Sequence, residues 1–222
     1  LKPSLKKISG KKGFTLIELL VTLSIFVILT TLVLANDNKF GNSTSITDLA
    51  YDIALSIRQA QTYGFAVKSI NGSYGNETST TTLTHFGIDF NMSSKTTYTI
   101  FADQPTQSGT IPPDGKFEPS EAVETYTLTN GFKIKDLCSV NDTTNAETCT
   151  TALGATNLDI IFKRPDPDAY SQFYYGAGSS GNAVTSPQEH VRIIIESGDG
   201  SILKAVDVLS SGQISVEDEA SS

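Results

Sequence analysis

Glu18 is the residue whose setting most needs a chemical reason. It is the single charge among the 22 residues from Phe14 to Ala35, FTLIELLVTLSIFVILTTLVLA. A carboxylate in so apolar a run costs several kcal/mol unless a cation or donor meets it, so its presence points to function. Other side chains offer chemistry with less support. Asp114-Gly115-Lys116-Phe117-Glu118-Pro119-Ser120-Glu121 matches the second half of a calcium loop, D-G-x5-E. Asp114, Glu118 and Glu121, with Asp103, are the oxygen donors that such an ion would use. Thr110 and Pro112 stand where the early carboxylates of that loop belong, and an acidic turn entering a strand accounts for the same residues. Gly176 to Gly181 spells G-x-G-x-x-G, but Asn182 to Pro187 lead toward a strand, not into the helix that a dinucleotide requires. A glycine-rich hairpin loop is the better account. His85 and His190 are 105 positions apart, with no nucleophile elbow or H-E-x-x-H near either. No nucleophile–base or metal constellation emerges, and an enzyme is not expected.

The apolar run must itself be positioned. At about 1.5 Å per residue it reaches roughly 33 Å, against about 30 Å of bilayer hydrocarbon. It has no polar face beyond scattered Thr and Ser, so it suits lipid or a bundle of like helices. Lys2, Lys6, Lys7, Lys11 and Lys12, five of the 16 Lys and Arg, precede it, and Lys39 alone follows closely. The positive-inside bias then keeps the N-terminus in the cytoplasm and exports the rest. At this point three readings compete: a plain signal anchor, a secretory signal cut after Ala35, and an anchor processed at the Gly13–Phe14 junction. The run exceeds the usual apolar core of a cleaved signal, about 7–15 residues.

Charge is uneven along the chain. Setting aside the five leading lysines leaves 11 basic against 24 acidic residues, about −13 after Gly13. Such a body disfavours nucleic acid, whose backbone is bound by clustered Lys and Arg. The one adjacent basic pair there, Lys163-Arg164, reads as the cap of a solvated strand end.

Asn36 to Ser45, NDNKFGNSTS, is rich in turn formers and predicts a break after the apolar helix. A second, amphipathic helix follows, with Thr47 as its cap, Leu49, Ile53, Ile57 and Ala60 on one face, and Gly64 as its stop. From about residue 83 the pattern turns to strands: around Thr97–Phe101, Tyr126–Leu128, Lys133–Lys135, Asp159–Phe162, Val191–Ile195, Ala205–Leu209 and Gly212–Val216. Helices first and strands afterwards predict an α+β fold, a helix laid over antiparallel sheet. Ser69–Thr82 and Ser139–Thr151 read as surface loops, and EDEASS from Glu217 as a solvated tail. Cys138 and Cys149 bracket a polar loop in the exported body, where such a pair is expected to form a disulfide worth about 2–3 kcal/mol.

The junction Lys11-Lys12-Gly13-Phe14-Thr15-Leu16-Ile17-Glu18-Leu19-Leu20 resembles the N-terminal motif of type IV prepilins and pseudopilins in every defining position. It has a short basic leader, Gly before the cut, Phe after it and Glu four residues beyond the Phe. The resemblance implies four segments: a leader (1–13), an assembly helix (14–35), a linker and amphipathic helix (36–64), and a β-rich exported head (65–222). It also implies cleavage by a prepilin peptidase after Gly13, methylation of Phe14, a single-pass inner-membrane location and assembly with other pilin subunits through Glu18. Gly13 suits the place before the cut, because the absent side chain lets a protease approach the backbone. Cleavage would give Phe14 a free amine one helical turn from Glu18, a cation for the carboxylate in the same helix or a neighbouring one. The stretch DLAYDIALSIRQAQTYG resembles the helix that follows the membrane segment in minor pseudopilins of the H type. Short disulfide-bounded loops occur in pilin heads, and some pseudopilins hold calcium there. The alternative is a surface- or substrate-binding exported protein whose signal is cut after Ala35.

Overall fold

The computed structural model describes residues 13–66, 84–104, 114–163, 166–176, 182–185 and 187–219. They belong to two compact units, Leu1–Gly41 and Asn42–Ser222. The expected break at 36–45 is not there: one helix, α1 (Leu16–Phe65), runs through it. Asn, Asp and Gly each cost up to about 1 kcal/mol against Ala inside a helix. A break, however, strands about four N–H and four C=O groups at the new ends, and long helical stretches on both sides favour propagation across a weak one. Thr47 is therefore no cap. Its hydroxyl donates to the Ser43 carbonyl at 2.8 Å.

In the second unit, the later turns of α1 carry the expected apolar stripe. Ile46, Ala50, Ile53, Ile57 and Ala60 are fully buried, while Tyr51, Leu55 and Arg58 face outward. Gly64 serves a different purpose from the stop expected of it. A Cβ at that position would stand 2.9 Å from the Cβ of Phe162, so glycine lets the helix lie close against a strand.

The strands form two antiparallel sheets. The first has the order β3 (Ala122–Thr127), β2 (Thr97–Asp103), β1 (His85–Asn91), β6 (Asn157–Phe162), β7 (Ala169–Tyr175), β8 (Asn182–Ala183). The second runs β11 (Ile214–Glu219), β10 (Leu203–Leu209), β9 (His190–Glu196), β4 (Lys133–Asn141), β5 (Ala146–Cys149). Side chains such as Ile88, Phe90 and Ile160 from the first sheet, and Ile134, Ile193 and Val206 from the second, share one core with the helix stripe. This is the α+β, pilin-like layout predicted above.

Two local expectations change, and one strand comes unannounced. Ser139–Thr151 is not a loop but the β4–β5 hairpin followed by a single helical turn, α2 (Thr150–Leu153). Glu217–Glu219 are no tail, since they pair with Leu203–Ala205 along β10. The run AYSQFYY, unmarked by clean alternation, is strand β7. Polar strands of this kind are defined by the neighbour that supplies their hydrogen bonds, more than by their own pattern. Ser69–Thr82, Arg164 and residues 177–181 lie outside the described residues, although β7 and β8 on either side of the glycine-rich stretch pair as a hairpin.

The first sheet also buries part of its other face, beneath the segment 114–121. Phe101 lies there across Gly87 and meets Phe117 with ring centroids 5.4 Å apart. A Cβ at Gly87 would come within 2.6 Å of the Phe101 ring and 2.9 Å of the Ile160 carbonyl oxygen. Gly87→Ala is therefore expected to cost roughly 1–3 kcal/mol through overpacking, measured by urea denaturation of the full chain in detergent micelles. Unchanged stability would mean that the ring is free to move away.

Candidate functional site

Gly13, Phe14 and Glu18 lie at the start of α1. Thr15 caps the helix: its hydroxyl accepts the Glu18 N–H at 3.3 Å, and its carbonyl accepts the Leu19 N–H at 3.1 Å. Glu18 thus sits in the first turn, where unpaired N–H groups favour a carboxylate. A Cβ at Gly13 would meet nothing within 4 Å, and Phe14 is 79% exposed.

The apolar stretch behind the cap, Leu16–Leu34, has mean hydropathy 2.5 and none of it is buried. Its hydroxyls are satisfied within the helix. Thr22 donates to Leu19 O, Ser24 to Leu20 O, Thr30 to Phe26 O and Thr31 to Val27 O, at 2.7–2.9 Å. Glu18 is then the one polar group of this stretch that asks for a partner from elsewhere. Chemically, the segment offers an apolar surface with a single charged address.

In the head, Cys138 and Cys149 face each other across β4 and β5 and form a disulfide. Asp136 lies close to the two sulfurs. Bonded sulfurs are not thiolate ligands, however, and Asp136 accepts the Leu137 N–H at 2.9 Å and both donors of Thr150.

The calcium candidates are engaged with backbone. Asp103 accepts the Gly115 N–H at 2.8 Å and Asp114 the Lys116 N–H at 3.0 Å. Glu121 accepts the N–H groups of Gln104 and Glu118, each at 3.1 Å. Among the described residues, no three of these carboxylates bring oxygens within 4.8 Å of one another. Burial pushes Glu121 up to about 7, with Asp103 and Glu118 adding to the shift and the two N–H donors opposing it. A carboxyl raised this far gives up its proton less readily, which weakens it as a ligand for a hard cation.

Two groupings escaped the sequence reading. Arg192 on β9 grips Asp207 with Nε–Oδ1 at 2.7 Å and Nη2–Oδ2 at 2.8 Å, and also reaches Glu147, Glu217 and Glu219. The Asp207 bonds hold the guanidinium even above its usual pKa. His190 lies beside it, with Nδ1 2.6 Å from Asp142 and Nε2 3.7 Å from Asp207. The second grouping is Asp89 with Asp159, two buried acids directly opposite each other on β1 and β6. A single Asp inside each apolar run, HFGIDFN and NLDIIF, was the available signal. Neither grouping presents a nucleophile with its base.

Among known families, residues 8–34 match the prokaryotic N-terminal methylation motif. No curated protein and no solved structure matches the chain. The motif covers the end of the basic leader with Lys11 and Lys12, the Gly-Phe junction, Glu18 and most of the apolar helix, and it indicates a structural protein held at a membrane. In this N-terminus the chain is similar to the type IV prepilins.

Proposed function

We propose that the chain is a minor pilin or pseudopilin, a structural subunit of a type IV pilus or of a type II secretion pseudopilus. Its anchor sits in the bacterial inner membrane with the basic leader in the cytoplasm and the head exported. A prepilin peptidase removes residues 1–13, and the new amine of Phe14 is methylated. The helix then packs among like helices, and Glu18 meets the amine of a neighbouring subunit. The carrying observation is the lone carboxylate of an otherwise self-satisfied, fully unburied apolar helix, one turn beyond the Gly13–Phe14 bond. In low dielectric such a pair sets the stagger between subunits, because any other register leaves a charge unpaired.

Intact mass and N-terminal sequencing of the membrane-extracted protein test this reading. The expected chain begins at Phe14 and carries one added methyl group. A chain beginning at Asn36 would establish the secretory-signal alternative, and one retaining residues 1–13 would leave Glu18 without its amine.

A further inference from the structure

We propose that Asp89 and Asp159 form a proton-binding site beneath the 114–121 segment, where one shared proton joins the two carboxyls and keeps that segment docked on the first sheet. The proposal does not depend on how the N-terminus is processed.

The two side chains are cross-strand partners, 4% and 3% exposed, and lie within hydrogen-bonding reach of each other. Asp89 Oδ1 accepts the Asn157 side-chain amide at 3.2 Å, and Asp159 Oδ2 accepts the Phe117 N–H at 3.0 Å. Asp159 Oδ1 is buried without a donor. A dry, unpaired carboxylate oxygen costs several kcal/mol, and two facing carboxylates cost more. A proton on that oxygen removes both penalties: Asp159 Oδ1–H donates to ionised Asp89, and every polar atom of the pair is then engaged.

The surroundings favour the proton over other counter-charges. Among the described residues, no ion pair involves either acid. From β2 the pair is faced by Thr99 and, further along, by Asp103, which has His85 3.8 Å away. From β7 come Tyr170 and Tyr174, and the covering segment brings Asp114, Lys116, Glu118 and Glu121. Lys116, the cation of the covering segment, is placed over the Tyr174 ring, 5.6 Å from its centroid. A metal is disfavoured by ligand count. Among the described residues no third carboxylate or imidazole lies within 4.8 Å of both acids at once, whereas calcium takes about 6–8 oxygens.

The shared proton spares the covered pair a second buried charge, and three bonds tie the covering segment to the sheet, one of them to Asp159 itself. Asp159 binds the Phe117 N–H, Asp103 binds the Gly115 N–H, and the Tyr174 hydroxyl donates to the Gly115 carbonyl at 3.1 Å. Burial, the largest cause, raises both acids above the ordinary carboxylate range, Asp159 the further because ionised Asp89 opposes its charge. Groups raised in this way contribute stability below their unfolded pKa and lose it as pH rises through the folded value. The segment should therefore loosen toward alkaline pH, the reverse of a salt-bridged aspartate.

Hydrogen exchange of the full chain in detergent micelles, read by mass spectrometry on peptides spanning Gly115 and Phe117, tests this between about pH 5 and about pH 9. After correction for intrinsic exchange, protection should fall by up to about tenfold per pH unit above the apparent pKa of the pair, the slope of one released proton. Asp159→Asn and Asp89→Asn should flatten the slope, while Glu121→Gln, which removes the neighbouring acid that titrates near 7, should retain it. If Asp159→Asn does not fold, Asp89→Asn decides, because it leaves the Asp159–Phe117 bond in place. A parental slope in the folded Asn variants would overturn the proposal. So would a parent whose protection follows added calcium or a chelator and not pH.

Discussion

Glu18→Ala is expected to insert into the membrane and be processed as the parent is, yet to enter filaments at least about tenfold less. Insertion should not suffer, because removing a carboxylate from the apolar run removes a cost of several kcal/mol. Cleavage depends on the Gly13–Phe14 bond and the leader, which the substitution leaves alone. What disappears is the preference for one register. With Glu18 present, a helix shifted along its neighbour buries an unpaired charge, and with alanine every shift is nearly equivalent. Comparing subunit in sheared filaments with subunit in the membrane measures the effect, alongside the mass of the mature N-terminus. Full incorporation of the alanine variant would falsify the assembly role.

Arg192→Ala should be among the most damaging single changes in the head, at roughly 3–5 kcal/mol, the usual cost of breaking a buried pair by removing one partner. The Arg192 side chain is 16% exposed and that of Asp207 3%, so the abandoned Asp207 has little water to turn to. Glu147 and Glu219 would then face it without the guanidinium between them. Urea denaturation of the full chain in micelles reads the loss. Pairing Arg192→Met with Asp207→Leu should restore much of it, since apolar replacements of similar size often equal a buried pair. A loss confined to a few tenths of a kcal/mol would show that solvent already screens the cluster.

Much of the architecture was legible in the residues. The apolar run, the helical stripe from Leu49 to Ala60 and most strands were placed by periodicity alone, because each of these elements buries one clear face. Reading failed where the local pattern carries little of the energy. NDNKFGNSTS reads as a break and is helix, since its neighbours supply the cooperativity. The acidic end ISVEDE reads partly as tail and is an edge strand, since β10 supplies its hydrogen bonds and Arg192 its counter-charge. Two acids of the D-G-x5-E match, Asp114 and Glu121, each accept a backbone N–H within the segment that covers the first sheet, bonds that the sequence pattern does not announce.

The sequence by itself determined the kind of protein. A membrane-length helix, a Gly-Phe junction and a carboxylate one turn further on are local features, and their meaning depends on spacing along the chain and on the solvent around it. Only the tertiary structure decided which acids are partnered and which are not. Asp89 and Asp159 are 70 positions apart and become one chemical unit because strand register sets them side by side in a place that water does not reach. No spacing rule encodes that pairing, because the energy of a buried charge depends on what folds over it.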